Sequence, residues 1–192
     1  MNSGPVRAAA LATLALVLVA CGRPTDPPAP PPEAGAAGES TAPEAEAPAP
    51  DGLTPAAADT FRRLQAAAES RDTAALIAIA AESPGFAYTF GDEADFAEYV
   101  AGAQMRGRDP VGDLAQILAM PPGETTLDGV RLFHWPYFYD WEASRYTAET
   151  RADAARIVGE AAAAQINDDL AYLGPRAAID ENGQWIFYLT GD

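Results

Sequence analysis

Residues 176–189 read RAAIDENGQWIFYL, and this stretch decides the fold class. Two largely apolar runs, 176–180 and 184–189, flank Glu181, Asn182 and Gly183. Asn-Gly between two such runs is the strongest short-range signal for a β-hairpin, because both residues tolerate the backbone that a tight turn needs. Strict alternation puts Trp185, Phe187 and Leu189 on one face of the second strand, and Ile186 and Tyr188 on the other. The chain therefore closes on an antiparallel pair, which needs no crossover helix.

Working back from the hairpin, residues 148–171 are Ala-rich and read as helix, in two pieces about Gly159. Residues 130–135 form a second strand candidate, broken by Pro136, which has no N–H for a ladder. Further back, Asp109 and Pro110 give a cap followed by Pro in the first turn, and open a helix with Val111, Leu114, Ile117 and Leu118 inward. Pro121, Pro122 and Gly123 stop it. Asp92 is placed to cap a helix with Phe96, Tyr99 and Val100 inward. Residues 86–90, FAYTF, alternate aromatic and small residues as a strand with one aromatic face would. A helical hairpin comes first: Thr54 and Pro55 open a helix with Phe61, Leu64 and Ala68 on its stripe, and Asp72 opens a second with Leu76, Ile77, Ile79 and Ala80. Helices and strands do not alternate one for one, and no internal repeat is present. The expected class is α+β: a small, mostly antiparallel sheet with a C-terminal β-hairpin, covered by several helices. That domain spans residues 53–192.

The rest of the chain is of another kind. Residues 22–52 contain no large apolar residue, and Pro recurs among Ala, Gly and Glu. Such a segment buries too little surface to offset chain entropy, and its Pro runs favour extended polyproline II. It reads as a tether. Residues 8–20, AAALATLALVLVA, follow Arg7 as a short apolar run, below the roughly 20 residues that a spanning helix needs. A positive start, a short apolar core and small residues before a cut are the parts of a signal peptide, here residues 1–20.

Leu18, Val19, Ala20 and Cys21 resemble the lipobox of bacterial lipoproteins. The resemblance implies that Cys21 is acylated and becomes the mature N-terminus, so residues 21–52 are a lipidated Cys and its tether. Gly22, where inner-membrane retention would have Asp, resembles the outer-membrane sorting class, so the domain would face the periplasm. Two or three acyl chains suffice for stable anchoring without a span.

Composition excludes several chemistries. Cys21 is the sole Cys, so the domain has no disulfide, thiol nucleophile or Cys-ligated metal. Net charge is −16, becoming about −17 once Arg7 is removed, and every basic residue is Arg. With no basic tract, nucleic acid is excluded as a partner. His134 is the only histidine, too few for a conventional zinc site. It could act as base to Ser144 with Asp140 as orienter, although no Ser lies in a Gly-flanked elbow. Asp92, Glu93, Asp95 and Glu98 suit a helix start, and Asn167, Asp168 and Asp169 form a second acidic spot. Neither has the ligand spacing of a calcium loop. No cofactor or metal is expected.

Residues 133–141, FHWPYFYDW, are the most unusual feature. Rings in such a run either fill the core of a small sheet or line a groove, and Pro136 and Asp140 interrupt the run so that some rings reach the surface. Trp135, Tyr137, Tyr139, Trp141 and His134 are the candidate binding residues. The domain as a whole, through DPVGDLAQILAM, LFHWPYF and the closing DENGQWIFYLTGD, resembles a group of proteobacterial envelope proteins with no assigned activity, which implies no catalytic residue. The first helical pair also resembles nuclear-transport-factor-like domains, from which the chain departs in having extra helices where their long curved strands would be. The expectation is a non-catalytic, membrane-anchored module that binds an envelope protein or, alternatively, a small ligand in an aromatic pocket. A metal-independent hydrolase using His134 is the third reading.

Overall fold

In a computed structural model, residues 48–88, 95–167 and 171–190 are described. The chain divides into units of residues 1–42 and 43–192, and the first lies wholly outside the described residues. So do the signal peptide, Cys21 and most of the tether, together with Asp92, Glu93, Asp168 and Asp169.

The second unit is α+β. Four helices come first: α1 (Pro55–Glu69), α2 (Thr73–Ala81), α3 (Phe96–Met105) and α4 (Pro110–Leu118). Each start is fixed by a side chain that satisfies an orphan backbone donor. Thr54 accepts from Ala57 N, Asp72 from Ala75 N and Asp109 from Gly112 N. Asp95, rather than Asp92, caps α3, accepting from Glu98 N at 2.8 Å. It immediately precedes Phe96, the first inward residue, which leaves no room for a cap three residues earlier.

A four-stranded antiparallel sheet follows in the order β1 (Gly123–Leu127), β2 (Val130–Trp135), β3 (Pro175–Asp180), β4 (Trp185–Thr190). Sequence patterning misses β1. Its residues, GETTL, do not alternate and three of the five are exposed. The overlooked signal is Asp128-Gly129, where φ of 52° and 84° makes the two-residue turn that matches strand twist. Between β2 and β3 lie a 3-10 turn (Ala143–Arg145), α5 (Ala148–Val158) and α6 (Glu160–Ala163). Helix ends at Ala163, short of residue 171, because Ile166 and Tyr172 turn back into a shared apolar cluster.

The closing hairpin forms, with one change of face. Ile179 pairs with Trp185, whereas Ala178 pairs with Phe187, so β4 carries one extra residue at Ile186. This bulge turns Trp185 to the side of Tyr188, whose ring stacks on it at 6.1 Å, and away from Phe187. The turn docks on α1: Thr54 Oγ1 donates to Glu181 O, and Thr60 Oγ1 to Gly183 O. The expected strand at 86–90 is, in its described part, a single parallel bridge of Ala87 to Phe187.

That bridge belongs to a seal along β4. Trp185 N donates to Ser83 Oγ at 2.9 Å, Ala87 N to Ile186 O at 3.0 Å, and Tyr188 N to Ala87 O at 2.8 Å; Arg108 donates to Thr190 O. Among the described residues, β1 has no strand on its outer side.

Two apolar clusters result. Phe133, Trp135, Ala177, Ile179, Trp185 and Tyr188 face α1–α4 and make the larger core. Phe138, Ala143, Tyr146, Ala154, Ala163, Ile166 and Tyr172 make a smaller one, with Ile157 packed against both.

Candidate functional site

The candidate residues follow from alternation along β2 and its exit. Phe133 and Trp135 point to the helical layer. Trp135 is fully buried, stacks on Phe61 at 5.2 Å and donates Nε1–H to Met120 O at 3.1 Å. Being fully buried, it belongs to the core rather than among the binding residues. Its even spacing with Phe133 on a strand already favours one shared face.

His134 takes the opposite face, in a row with Gly123, Ala178 and Phe187. It is buried, with Nδ1 3.3 Å from Pro136 O, Nε2 3.5 Å from Asp140 Oδ2, and the Tyr139 ring edge-on at 4.6 Å. Both nitrogens thus face acceptors, and neither is directed at Ser144. This is not the geometry of a nucleophile and its base, which must share a hydrogen bond. Burial pushes the imidazolium pKa below its ordinary value, against the pull of the Asp140 carboxylate and the Pro136 carbonyl.

Proton uptake by His134 therefore favours the unfolded chain. Its contribution to stability is complete above about pH 6.5 and is lost as pH falls from there toward the lower folded pKa. Urea midpoints should decline between about pH 7 and 5 in the parent protein, and less steeply in His134→Gln. Asp113, whose pKa burial raises, acts with the opposite sign in both proteins and cancels in the difference. Equal slopes would show that His134 does not titrate abnormally.

The Trp135–Pro136 peptide is cis, and beyond it the remaining rings disperse. Phe138 fills the smaller core, edge-on to Tyr146 at 5.6 Å and to Tyr172 at 5.3 Å. Tyr146 donates to Phe138 O, and its burial lifts its pKa to about 12. Tyr137 donates to Asp153 Oδ2 at 2.9 Å and packs against this core, and it does not line either of the two clefts described below.

Tyr139 and Trp141 do. With Asp140, Glu142, Ser144 and Asn167 they wall a cleft of about 550 Å³. Trp141 is half-buried, edge-on to Tyr137 at 5.4 Å, with the Arg145 guanidinium over its ring at 4.3 Å. Arg145 holds the indole upright by a cation–π contact. The cleft therefore offers aromatic surface beside two carboxylates, a hydroxyl and an amide.

A second cleft, of about 400 Å³, lies across Ala171 from the first. Ile157, Val158, Ile166 and Leu173 give it apolar walls, and Arg108 and Asp113 lie at its polar end. None of these stood out in the sequence. Arg108 and Asp113 flank the cap at Asp109 and read there as ordinary helix-start residues, and only the fold brings residues from 157–166 and 171–175 around the same cleft.

Among the described residues, no group of three or more His, Cys, Asp or Glu is placed to hold a metal ion, and no helix is long and apolar enough to cross a membrane. Compared with known proteins, the chain matches no protein-family model, no curated protein and no solved structure.

Proposed function

We propose that this is an envelope lipoprotein, held in the outer membrane by acyl chains on Cys21, whose α+β domain is a non-catalytic binding module reaching into the periplasm. Its ligand site is the cleft walled by Tyr139 and Trp141. The anchor rests on the lipobox-like Leu18–Cys21 and on the Pro-rich tether behind it. The binding reading rests on one observation. Of the three tryptophans, Trp135 and Trp185 are fully buried, while Trp141 stands half-exposed in a cleft among acceptors from Asp140 and Glu142. Ring faces combined with few, placed polar groups are how small-molecule sites obtain both area and orientation. Carboxylate acceptors select a ligand rich in N–H or O–H donors.

The test begins with the full chain purified from its native envelope, with co-purifying small molecules identified by mass spectrometry and returned in fluorescence titration. The ligand-induced change in tryptophan emission should come from Trp141. Trp141→Phe should abolish it, and should also remove the fraction of emission that acrylamide quenches. Stability should fall by no more than about 1 kcal/mol, as expected for a half-buried aromatic exchange. An undiminished response in Trp141→Phe would place the ligand elsewhere. Recovery of one stoichiometric protein and no small molecule would make the module a docking domain instead.

A further inference from the structure

The cleft beside Asp113 carries an observation independent of Trp141. Asp113 sits in the first two turns of α4 and is half-buried. Among the described residues its carboxylate accepts no hydrogen bond and lies in no ion pair, although the Arg108 charge acts on it and Arg108 opens onto the same cleft. Arg108 is committed through one amino group to the Thr190 carbonyl, which leaves other N–H donors of the guanidinium unassigned. Asp113 is only partly buried and lines the cleft, so its carboxylate is open to a donor from a ligand.

The walls around this pair are mainly apolar, with Gln165 and Thr190 among them. Leu173 stands at the rim with 49% of its surface exposed, as one of few large apolar side chains left uncovered among the described residues. Tyr172, beneath it, turns its hydroxyl away to Pro175 O at 3.0 Å and offers the ring rather than a donor. The cleft thus presents an acceptor lacking a donor among the described residues, a donor with unused capacity, and an apolar surface to one side.

We propose that this cleft is a second binding site, for a small zwitterion with an apolar body, such as an apolar α-amino acid: its ammonium group donates to Asp113, its carboxylate accepts from Arg108, and its side chain lies against Ile157, Val158 and Leu173. A volume of about 400 Å³ holds a molecule of that size. Burial holds the Asp113 pKa above the ordinary carboxylate value, with Asp109 adding to the effect and Arg108 and Arg71 opposing it. A bound ammonium would reverse the burial effect.

The experiment is calorimetric titration of the full chain with L-phenylalanine, 2-phenylethylamine and 3-phenylpropanoate. These share the ring and carry both charges, the ammonium alone or the carboxylate alone. L-phenylalanine is expected to bind best, with each singly charged probe weaker by about tenfold or more, the scale of one charge-assisted hydrogen bond. Asp113→Asn should weaken L-phenylalanine to a similar degree. That variant removes a charge the fold disfavours, so its melting temperature should equal or exceed the parent's, and lost binding would not be lost folding. Three results would overturn the proposal: no heat with any probe, 2-phenylethylamine binding as well as L-phenylalanine, or undiminished binding in Asp113→Asn. None of them touches the Trp141 cleft, which shares no charged residue with this one.

Discussion

Trp135→Ala is expected to destabilise the domain by about 3–5 kcal/mol, much of the roughly 5–15 kcal/mol that holds an ordinary domain together. The indole is fully buried between sheet and helices, with Phe61 stacked on it at 5.2 Å. Truncation removes that pair and opens a cavity that Leu64 and Leu114, themselves fully buried, cannot readily fill. It also takes away the donor at Met120 O, at the exit of α4. Urea denaturation followed by far-ultraviolet circular dichroism would measure the loss. Trp135→Phe keeps a ring for Phe61 but loses the N–H and part of the indole volume, so it should cost less than truncation to Ala, nearer 2 kcal/mol. A Trp135→Ala protein with a parental midpoint and altered ligand response would instead put this ring in a binding site.

The second large effect is expected at Gly123, where a single methyl group has nowhere to go. A Cβ there would overlap the His134 ring, lying 2.6 Å from Nε2 and closer still to Cε1, and would sit 2.7 Å from the Tyr137 carbonyl oxygen. The ring can shift only by leaving Pro136 O and Asp140, and the carbonyl is backbone. Overpacking of this kind costs about 3 kcal/mol, near the top of its usual range. His134→Ala in the same chain relieves the ring overlap and leaves the carbonyl clash. The double variant should therefore be more stable than the sum of the single effects predicts, by about 1 kcal/mol or more. Additive effects would mean that the His134 ring does not cross Gly123.

Much of the fold is legible in local chemistry. Three of the four caps on α1–α4, the inward stripe of α4, the closing hairpin and the break after Trp135 all follow from residues within a few positions of one another. What sequence alone misses arises where distant segments meet. The bulge at Ile186 breaks the strict alternation that would pair Trp185 with Phe187, because Trp185 is drawn toward Phe86 and Tyr188 on the helical side. β1 is hidden because an edge strand exposed on most of its length needs no apolar pattern. At the site, the aromatic run gives away Tyr139 and Trp141 but not their separation from Tyr137, because all three lie beyond the end of β2 at Trp135, where strand alternation no longer assigns faces. Asp113 and Arg108 carry no signal at all, since an unpartnered carboxylate can be recognised only once its surroundings are known.

The two margins of the sheet are treated differently, and this bears on how copies of the domain could assemble. Along β4 each of the four outward groups named above is already spoken for, by Ser83, by Ala87 twice and by Arg108. Along β1, which carries Glu124, Thr125 and Thr126, no neighbouring strand does the same among the described residues. A sheet that can be extended on one side only is a chain terminator as well as a template. Two molecules joined β1 to β1 would form a continuous eight-stranded sheet with a sealed margin at each end, and a third could not add. Self-association through this sheet would stop at two rather than run on into a fibre.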